Sequence, residues 1–335
     1  MILDFRSDTV TKPTQQMREF MLNAPVGDDV FEEDPSINEL EQLGAEMFGM
    51  EAGLFCTSGT QTNQIAIKVH TNPGDEVICH EEAHIYRYEG GGIARNSQVS
   101  TRFLRGNDGR INPNEIEDNI NPDNLHYPVT TLVSIEDTSN RGGGKVYDFN
   151  DIQQISRICK QNNLKFHLDG ARVFNALAVN SVDSKVYGQQ FDSISVCLSK
   201  GLGAPVGSLL LGNKDFIKKA RRVRKYLGGG MRQAGIIAAG GIYALKNNIN
   251  RLKDDHRRAK EIEQILNQQN WIKEVIPVET NIVVGILKDA SQQAQIIENL
   301  KQKGILVVDF GRGRIRLTTH LDITDEHIDY LRKNI

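Results

Sequence analysis

Short apolar runs alternate along this chain with longer amphipathic stretches. Six of the runs have the length and the flanking turns of buried strands, at residues 53–56, 76–79, 131–135, 165–168, 193–198 and 208–211. Helical patterns fill most of the gaps between them. Strands separated by helices predict an α/β fold with a mostly parallel sheet covered on both faces. Ligands bind such sheets at the carboxyl ends of the strands.

The helical pattern is clearest over residues 36–47. Ile37, Leu40, Leu43 and Met47 recur there at the spacing of one helical face, and Ser36 is the expected N-cap. Similar patterns predict helices at 59–69 and 148–161.

The last third of the chain has a different order of elements. A long helical region over 232–268 is followed by a strand at 281–286, a helix at 291–303, strands at 305–309 and 314–318, and a closing helix. This order predicts a smaller α+β domain at residues 250–335, after a large domain at 1–249. The N-terminal segment belongs to the large domain and is a candidate contributor to the site.

Composition narrows the class of protein. The 335 residues carry 40 Lys and Arg against 43 Asp and Glu, a net charge of −3, so no global basic field attracts nucleic acid. The basic run at 214–225 is therefore interpreted as a solvated helix face or a subunit contact. With no apolar run near 18 residues and no signal-peptide pattern, we expect a soluble, cytoplasmic protein. The four cysteines form no C-x-x-C pair, which predicts buried, reduced thiols and no metal site.

Lys200 is the strongest candidate for chemistry. It follows the predicted strand at 193–198 and precedes closely spaced glycines at 201, 203 and 207. A lysine in a partly desolvated pocket has its charged form disfavoured, so its amine can act as a nucleophile and form a Schiff base. The alternative is a solvated surface lysine.

The predicted strand at 165–168 leads into Asp169, and Arg172 follows three residues later. A carboxylate at a strand end is suited to holding a proton on a pyridine nitrogen, and a planar guanidinium can grip a substrate carboxylate bidentately. A helix-capping Asp and a structural salt bridge are the alternative interpretation.

Residues 57–63, Thr-Ser-Gly-Thr-Gln-Thr-Asn, lie between a predicted strand and a helix. Free N–H groups and hydroxyls at a helix N-terminus form a candidate phosphate site, although Ser and Thr are also ordinary N-caps. The glycine clusters at 142–144 and 201–207 match neither the P-loop nor the dinucleotide-binding pattern.

Longer motifs carry a specific resemblance. ILDFRSDTVTKP at 2–13, PVGDDV at 25–30, LDGARVFN at 168–175, CLSKGLGAPVG at 197–207 and GGGMRQ at 228–233 resemble the L-threonine aldolases, including the low-specificity and L-allo-threonine enzymes. The match covers essentially the whole chain. It implies fold type I of the pyridoxal 5'-phosphate enzymes, that of aspartate aminotransferase, and a homotetramer with sites shared between subunits.

The resemblance also implies roles for single residues. Lys200 matches the lysine that forms the Schiff base with the cofactor, and Asp169 matches the partner of the pyridine nitrogen. Ser58, Gly59 and Thr60 match the phosphate cradle.

Other matches concern the substrate and the neighbouring subunit. Arg232 matches an arginine that reaches the phosphate of a neighbouring subunit. Ser7, Arg172 and Arg316 match the groups that bind the amino-acid carboxylate, and Arg172 also counts among the cofactor-binding residues. The resemblance further implies that His84 stacks on the cofactor ring and that His126 lies near the β-hydroxyl of the substrate.

One position departs from the family pattern. Family members usually carry Glu-Asn-Thr where this chain has Glu136, Asp137 and Thr138. If Asp137 reaches the cofactor or an interface, the change alters affinity or pH response, whereas a solvent-facing Asp137 has no effect.

The predicted activity is aldol cleavage of threonine, allo-threonine and other β-hydroxy-α-amino acids to glycine and an aldehyde, with His126 or a water that it holds as the base. Transamination and β-elimination remain alternatives because the same Lys and Asp serve all of them. A catalytically silent protein of the same fold is the alternative from another class.

Overall fold

The computed structural model describes residues 1–335. Its strands are β1 Leu3–Asp4, β2 Ala52–Cys56, β3 Glu76–His80, β4 Ser100–Leu104, β5 Thr130–Glu136, β6 Lys165–Gly170, β7 Ser193–Cys197, β8 Ser208–Gly212, β9 Ile272–Val275, β10 Ile282–Leu287, β11 Ile305–Leu306, β12 Val308–Asp309 and β13 Arg314–Thr318.

The α-helices lie mostly between the strands. They are α1 Gln15–Leu22, α2 Pro35–Phe48, α3 Gly59–His70, α4 His84–Arg87, α5 Pro113–Glu117, α6 Phe149–Gln161, α7 Val173–Asn180, α8 Ser184–Gly188, α9 Lys214–Tyr226, α10 Gly235–Asn247, α11 Leu252–Asn267, α12 Gln293–Gln302 and α13 Asp325–Asn334. Short 3₁₀ turns at Asp8–Val10, Asp29–Phe31 and Ala290–Gln292 and a π-helical turn at Ile93–Ser97 complete the elements.

Seven strands form the central sheet in the order β2-β8-β7-β6-β5-β3-β4. All neighbours are parallel except β8, which is antiparallel to both β2 and β7. The predicted α/β fold with a mostly parallel sheet is confirmed, and each of the six predicted strands is present within two residues of its predicted ends. The edge strand β4 was not predicted, because only its last residue is fully buried and its apolar pattern is weak.

Helices cover both faces of this sheet. Along β8, Leu209 and Leu211 pack into the core cluster that includes α2 and α10, whereas Leu210 packs with Phe216 of α9 and Ile65 of α3. Successive side chains of a strand point to opposite faces, so a strand buried on both faces is apolar without interruption. This is why β7 and β8 are buried along their whole length.

The N-cap predicted for α2 is wrong. The cap is Asp34, whose Oδ1 accepts from the backbone N–H groups of Ser36 and Ile37 at 3.1 and 3.0 Å. Pro35 occupies the first helical position, where its fixed φ is favourable and its missing N–H costs nothing.

The long helical region predicted over 232–268 consists of two helices, α10 and α11, with a break at residues 248–251. Asn248 at this break donates its side-chain N–H to the carbonyl oxygen of Leu202 at 2.7 Å. The break is thereby attached to the loop that contains Lys200.

The C-terminal region contains an antiparallel sheet in the order β12-β13-β10-β9, and β9 was not predicted. The strand predicted over 305–309 divides into β11, which pairs in parallel with β1, and β12, which pairs with β13. Leu3 and Phe5 lie in the hydrophobic core of this region. Residues that follow Phe5 are therefore held between the C-terminal region and the central sheet.

The basic helix α9 is amphipathic. It buries Phe216 and Val223, while Arg224 forms an ion pair with Asp29 at 2.7 Å and Arg221 one with Glu41 at 2.8 Å. All four cysteines are buried free thiols. No helix is long and apolar enough to cross a membrane.

Candidate active site

A cavity of about 190 Å³ lies where β2, β6 and β7 end. The turn after β2 provides Ser58, Gly59 and Thr60, β6 provides Asp169, and the turn after β7 provides Lys200. In the sheet, β6 pairs with β7 in parallel, so these two strands end at the same edge. The structure thus brings together three groups of residues that are distant in the sequence.

The helix α3 begins at Gly59, and its first N–H groups have no acceptor within the helix. Ser58 is the N-cap, and its Oγ accepts from the N–H of Gln61 at 3.2 Å. A Cβ at Gly59 would meet only the Ser208 Oγ, at 3.6 Å, and that buried hydroxyl has no hydrogen-bond partner. Open space, free N–H groups and an unpaired hydroxyl at a helix N-terminus fit a bound phosphate.

Asp169 is buried and is held by neutral donors. Its Oδ2 accepts from the side-chain N–H of Asn63 at 2.9 Å, and its Oδ1 accepts from the N–H of Ala171 at 3.2 Å. The amide of Asn63 is itself oriented by His167, whose Nε2 lies 3.1 Å from the Asn63 Oδ1. No arginine or lysine side chain forms an ion pair with Asp169, so its carboxylate is suited to a cationic partner bound in the cavity.

The salt bridge considered between Asp169 and Arg172 does not form. Arg172 pairs with Asp8 instead, at 2.7 Å between its Nε and the Asp8 Oδ2. The Nε–Nη2 edge of its guanidinium is thereby occupied. The predicted binding of a substrate carboxylate by Arg172 is limited to the donors that remain on Nη1 and Nη2.

His84 lies at the start of α4 and forms one wall of the cavity. Its N–H donates to Glu136 at 3.0 Å, and its Nδ1 lies 3.0 Å from the Glu89 Oε1. Burial alone would lower the pKa of His84, but the hydrogen bond to Glu89 and the charges of Asp169 and Glu136 raise it above its usual value. The ring is therefore held in place by Glu89, and its cationic form is favoured by the surrounding carboxylates.

His84, Glu89 and Asp169 offer ligand atoms within 4.8 Å of one another. Glu89 already accepts from Asn63 and Gln64 at 2.9 and 2.6 Å. We interpret the cluster as a hydrogen-bond network that supports the cavity wall, since its acceptors are already occupied by donors.

A second cavity, of about 310 Å³, shares His84 with the first. Arg316 of β13 lines it and donates to the side-chain oxygen of Asn140 and to the carbonyl oxygen of Arg6, both at 2.8 Å. Its Nε is buried without a partner. Burial and the neighbouring charge of Arg172 lower the pKa of Arg316 to about 10. A cation with an unpaired donor in a cavity is suited to binding a carboxylate.

Arg172 and three further predicted residues line neither cavity. The hydroxyl of Ser7 accepts from the backbone N–H and the Oγ1 of Thr9, at 3.2 and 2.8 Å. The side chain of Arg232 is 55% exposed and pairs with Asp28 at 2.9 Å. His126 lies in an exposed loop. Their predicted roles are not tested by this single chain and stay predictions.

Asp137 contacts neither the cofactor cavity nor solvent. It is fully buried, its Oδ2 accepts from the O–H of Tyr187 at 2.6 Å, and its Oδ1 lies 3.4 Å from the N–H of Tyr147. Burial raises the pKa of Asp137 to about 7, although the hydrogen bond from Tyr187 opposes this shift. Neither outcome considered from the sequence applies, because Asp137 is hydrogen-bonded within the core and reaches neither the cavity nor solvent.

Three residues that support the site were not singled out from the sequence, although Asn63 lies within the candidate phosphate stretch at 57–63. Asn63 stands one helical turn after Gly59, a spacing that could have indicated its inward position. Asp8 directly follows Ser7 in the motif at 2–13, from which only Ser7 was selected as a site residue. Glu89 had no local signal, because its partners come from α3 and α4.

Comparison with known proteins shows the family of this chain. The sequence profile described as "Beta-eliminating lyase" matches residues 4–290. The chain belongs to this family. It is 40% identical over 328 residues to the low specificity L-threonine aldolase of Escherichia coli strain K12, covering 98% of this chain and 96% of that one. It is 41% identical over 335 residues to the low-specificity L-threonine aldolase 1 of Arabidopsis thaliana, covering 98% and 94%.

Solved structures show the fold of the family. A threonine aldolase from Leishmania major superposes with a TM-score of 0.83 at 22% identity, over 98% of this chain and 97% of that one. The resemblance to L-threonine aldolases inferred from the motifs is confirmed, and with it the fold class.

Proposed function

We propose that this protein cleaves L-threonine, L-allo-threonine and related β-hydroxy-α-amino acids to glycine and an aldehyde, with pyridoxal 5'-phosphate as its cofactor. The observation that carries the proposal is the meeting of Lys200, Asp169 and the Gly59 turn in one cavity at the strand ends. The names of the relatives in the beta-eliminating lyase family support the same chemistry.

The residues of the cavity fit this cofactor. Lys200 would hold its aldehyde carbon as a Schiff base, Asp169 its ring nitrogen, the start of α3 its phosphate, and His84 would lie beside the ring. When bound, the cofactor supplies an electron sink for the pair left at the substrate Cα.

The residues of the chain would bind and orient the cofactor and the substrate. Asn63 and the Ala171 N–H hold the Asp169 carboxylate in place, so that it can keep a proton on the ring nitrogen. Arg316 and the free donors of Arg172, with Ser7, would bind the substrate carboxylate. This orientation sets which bond at Cα is broken. His126, or a water that it holds, is proposed to take the proton of the β-hydroxyl.

The phosphate needs a cation that the cavity lacks. A phosphate ester carries nearly two negative charges, yet Lys200 is the only lysine that lines the cavity and no arginine does. Arg232 lies at the surface, where it pairs with Asp28, and on exchange of that partner its side chain would reach a second copy. We therefore propose a homotetramer with shared sites. Exposed apolar side chains such as Leu22, Phe31 and Leu125 support extensive subunit contacts.

A cytoplasmic location is part of the proposal. The four buried cysteines are free thiols, and the strands that carry Cys56 and Cys197 are separated by β8. Free thiols without disulfides are typical of reducing compartments.

Product analysis tests the function. With the cofactor present, threonine should yield equal amounts of acetaldehyde and glycine, both measured directly. A keto acid that retains the carbon chain of threonine would contradict the proposal, because it indicates transamination when the amino group passes to the cofactor and elimination when ammonia is released. Comparing kcat/KM for threonine, allo-threonine and phenylserine would then rank the substrates.

Subunit sharing makes a separate prediction. Lys200→Ala subunits and Arg232→Ala subunits should each be nearly inactive, yet co-expression should restore about a quarter of wild-type activity in a dimer of shared sites. Half of randomly paired dimers are hybrids, and one of their two sites has both residues intact. No restoration in isolated hybrids would show that Arg232 acts within its own subunit, and full activity of Arg232→Ala alone would show that it has no role in the site.

A further inference from the structure

The ion pair between Arg172 and Asp8 is buried on both sides. The Arg172 side chain is 5% exposed and that of Asp8 is 0% exposed. Nε and Nη2 of Arg172 donate to the two oxygens of Asp8 at 2.7 and 2.8 Å. Two parallel bonds between planar groups fix the guanidinium plane as well as its position.

The carboxylate of Asp8 is itself held in place. The side-chain N–H of Asn281 donates to the Asp8 Oδ2 at 3.1 Å, and the same amide donates to the carbonyl oxygen of Thr319 at 3.1 Å. Burial alone would raise the pKa of Asp8, but the charges of Arg172 and Lys200 and the hydrogen bonds from Arg172 and Asn281 lower it to about 2. Asp8 is therefore an anion under all ordinary conditions.

Asp8 also sits among the cations of the site. The positive charges of Arg172 and Lys200 both lower the pKa of Asp8. The charge of Arg172 also lowers the pKa of Arg316. Without a counterion, Arg172 would be a buried, unpaired charge beside another arginine, and its side chain would turn towards water.

We propose that Asp8 is a positioning residue that fixes the plane of Arg172, so that its remaining guanidinium edge is ready for the substrate carboxylate. The inference rests on the proposed role of Arg172 in binding that carboxylate. It assigns to the N-terminal segment, which is anchored through β1 to β11, a direct effect on substrate affinity.

The test compares two small ligands of the cofactor-loaded enzyme, glycine and glycinamide. Both present an amino group to the cofactor, but only glycine has a carboxylate. Their dissociation constants are measured from the visible absorbance of the bound cofactor. In Asp8→Asn, glycine should bind about 10-fold more weakly or worse, as expected for the loss of a charge-assisted hydrogen bond. Glycinamide binding should change much less, and KM for threonine should rise more than kcat falls.

Asp4→Asn is the matched control. Asp4 lies in the same segment and pairs with Arg6 at 2.6 Å, but the pair is on the surface, so neither ligand should be affected. If Asp8→Asn does not fold, Asp8→Glu is measured instead, since it keeps the counterion and displaces the carboxylate. The same selective loss of glycine binding is expected.

Two results would overturn the inference. Equal weakening of glycine and glycinamide would show a general structural role, and tighter glycine binding would show that Asp8 only competes with the substrate as a charge. Neither measurement depends on threonine cleavage. A failure of the proposed activity would be seen separately, in the products of the wild-type enzyme.

Discussion

A Lys200→Ala variant is expected to lose threonine cleavage by about 10⁴-fold or more, because it removes the amine that we propose forms the Schiff base with the cofactor. The amine lines the cavity beside Asp169 and the Gly59 turn, and no second lysine lines it. The measurement is kcat/KM for threonine with saturating cofactor.

The visible absorbance of the purified variant provides a second readout, since the Schiff base with the protein should be absent. Lys253→Ala is the control: this lysine is exposed on α11 and forms no ion pair, so activity and spectrum should match the wild type. Full turnover in the Lys200→Ala variant would refute the catalytic assignment of Lys200, whereas a wild type that neither cleaves threonine nor shows the cofactor absorbance would favour the silent-protein alternative.

An Asp137→Asn variant is expected to be more stable than the wild type at pH 8 and to differ little at pH 4. The pKa of Asp137 is raised in the folded protein to about 7 from an ordinary value of 3.8, so the protonated form is the one that folding favours. The stability that this group contributes is fully present below pH 4 and is lost as the pH rises through 7. From the size of the shift, the wild type should lose about 4 kcal/mol across this window relative to the variant.

The amide of the variant can still accept the hydrogen bond from Tyr187, and it carries no charge to bury. Chemical denaturation at fixed protein concentration and several pH values would give the difference in the free energy of unfolding. Asp123→Asn is the control, because Asp123 is exposed in a loop. Parallel stability profiles of wild type and Asp137→Asn would contradict the prediction.

The central sheet could be predicted because its strands are apolar on both faces. Runs such as β8 are buried throughout, and burial imposes an uninterrupted apolar sequence that is visible without the fold. The short strands β4 and β9 each expose part of their length, so their sequences resemble those of loops. The break between α10 and α11 was missed for a related reason, since the side chain that holds it, Asn248, bonds to a residue far away in the sequence.

The site was predicted in part. Lys200, Asp169 and Gly59 follow directly after predicted strands, so their convergence follows from the rule that parallel strands end at one edge. The hydrogen bonds of Asn63 to Glu89 and Asp169 could not be derived this way, because they join α3 to a turn and a strand that only the packed fold brings beside it. The glycines at 142–144 had no role that the sequence could assign. The structure shows that a Cβ at Gly142 would collide with the carbonyl oxygen of Asp108.

The sequence by itself determined the alternation of strands and helices, the candidate residues at the strand ends and the membership of the family. Only the tertiary structure decided the partners of the buried charges. Arg172 pairs with Asp8 across 164 residues of sequence, and Asp137 bonds to Tyr187 across 50. Sequence periodicity indicates only which residues share a face over one or two helical turns. A buried charge pairs with the group that the folded chain brings next to it, at any distance in the sequence.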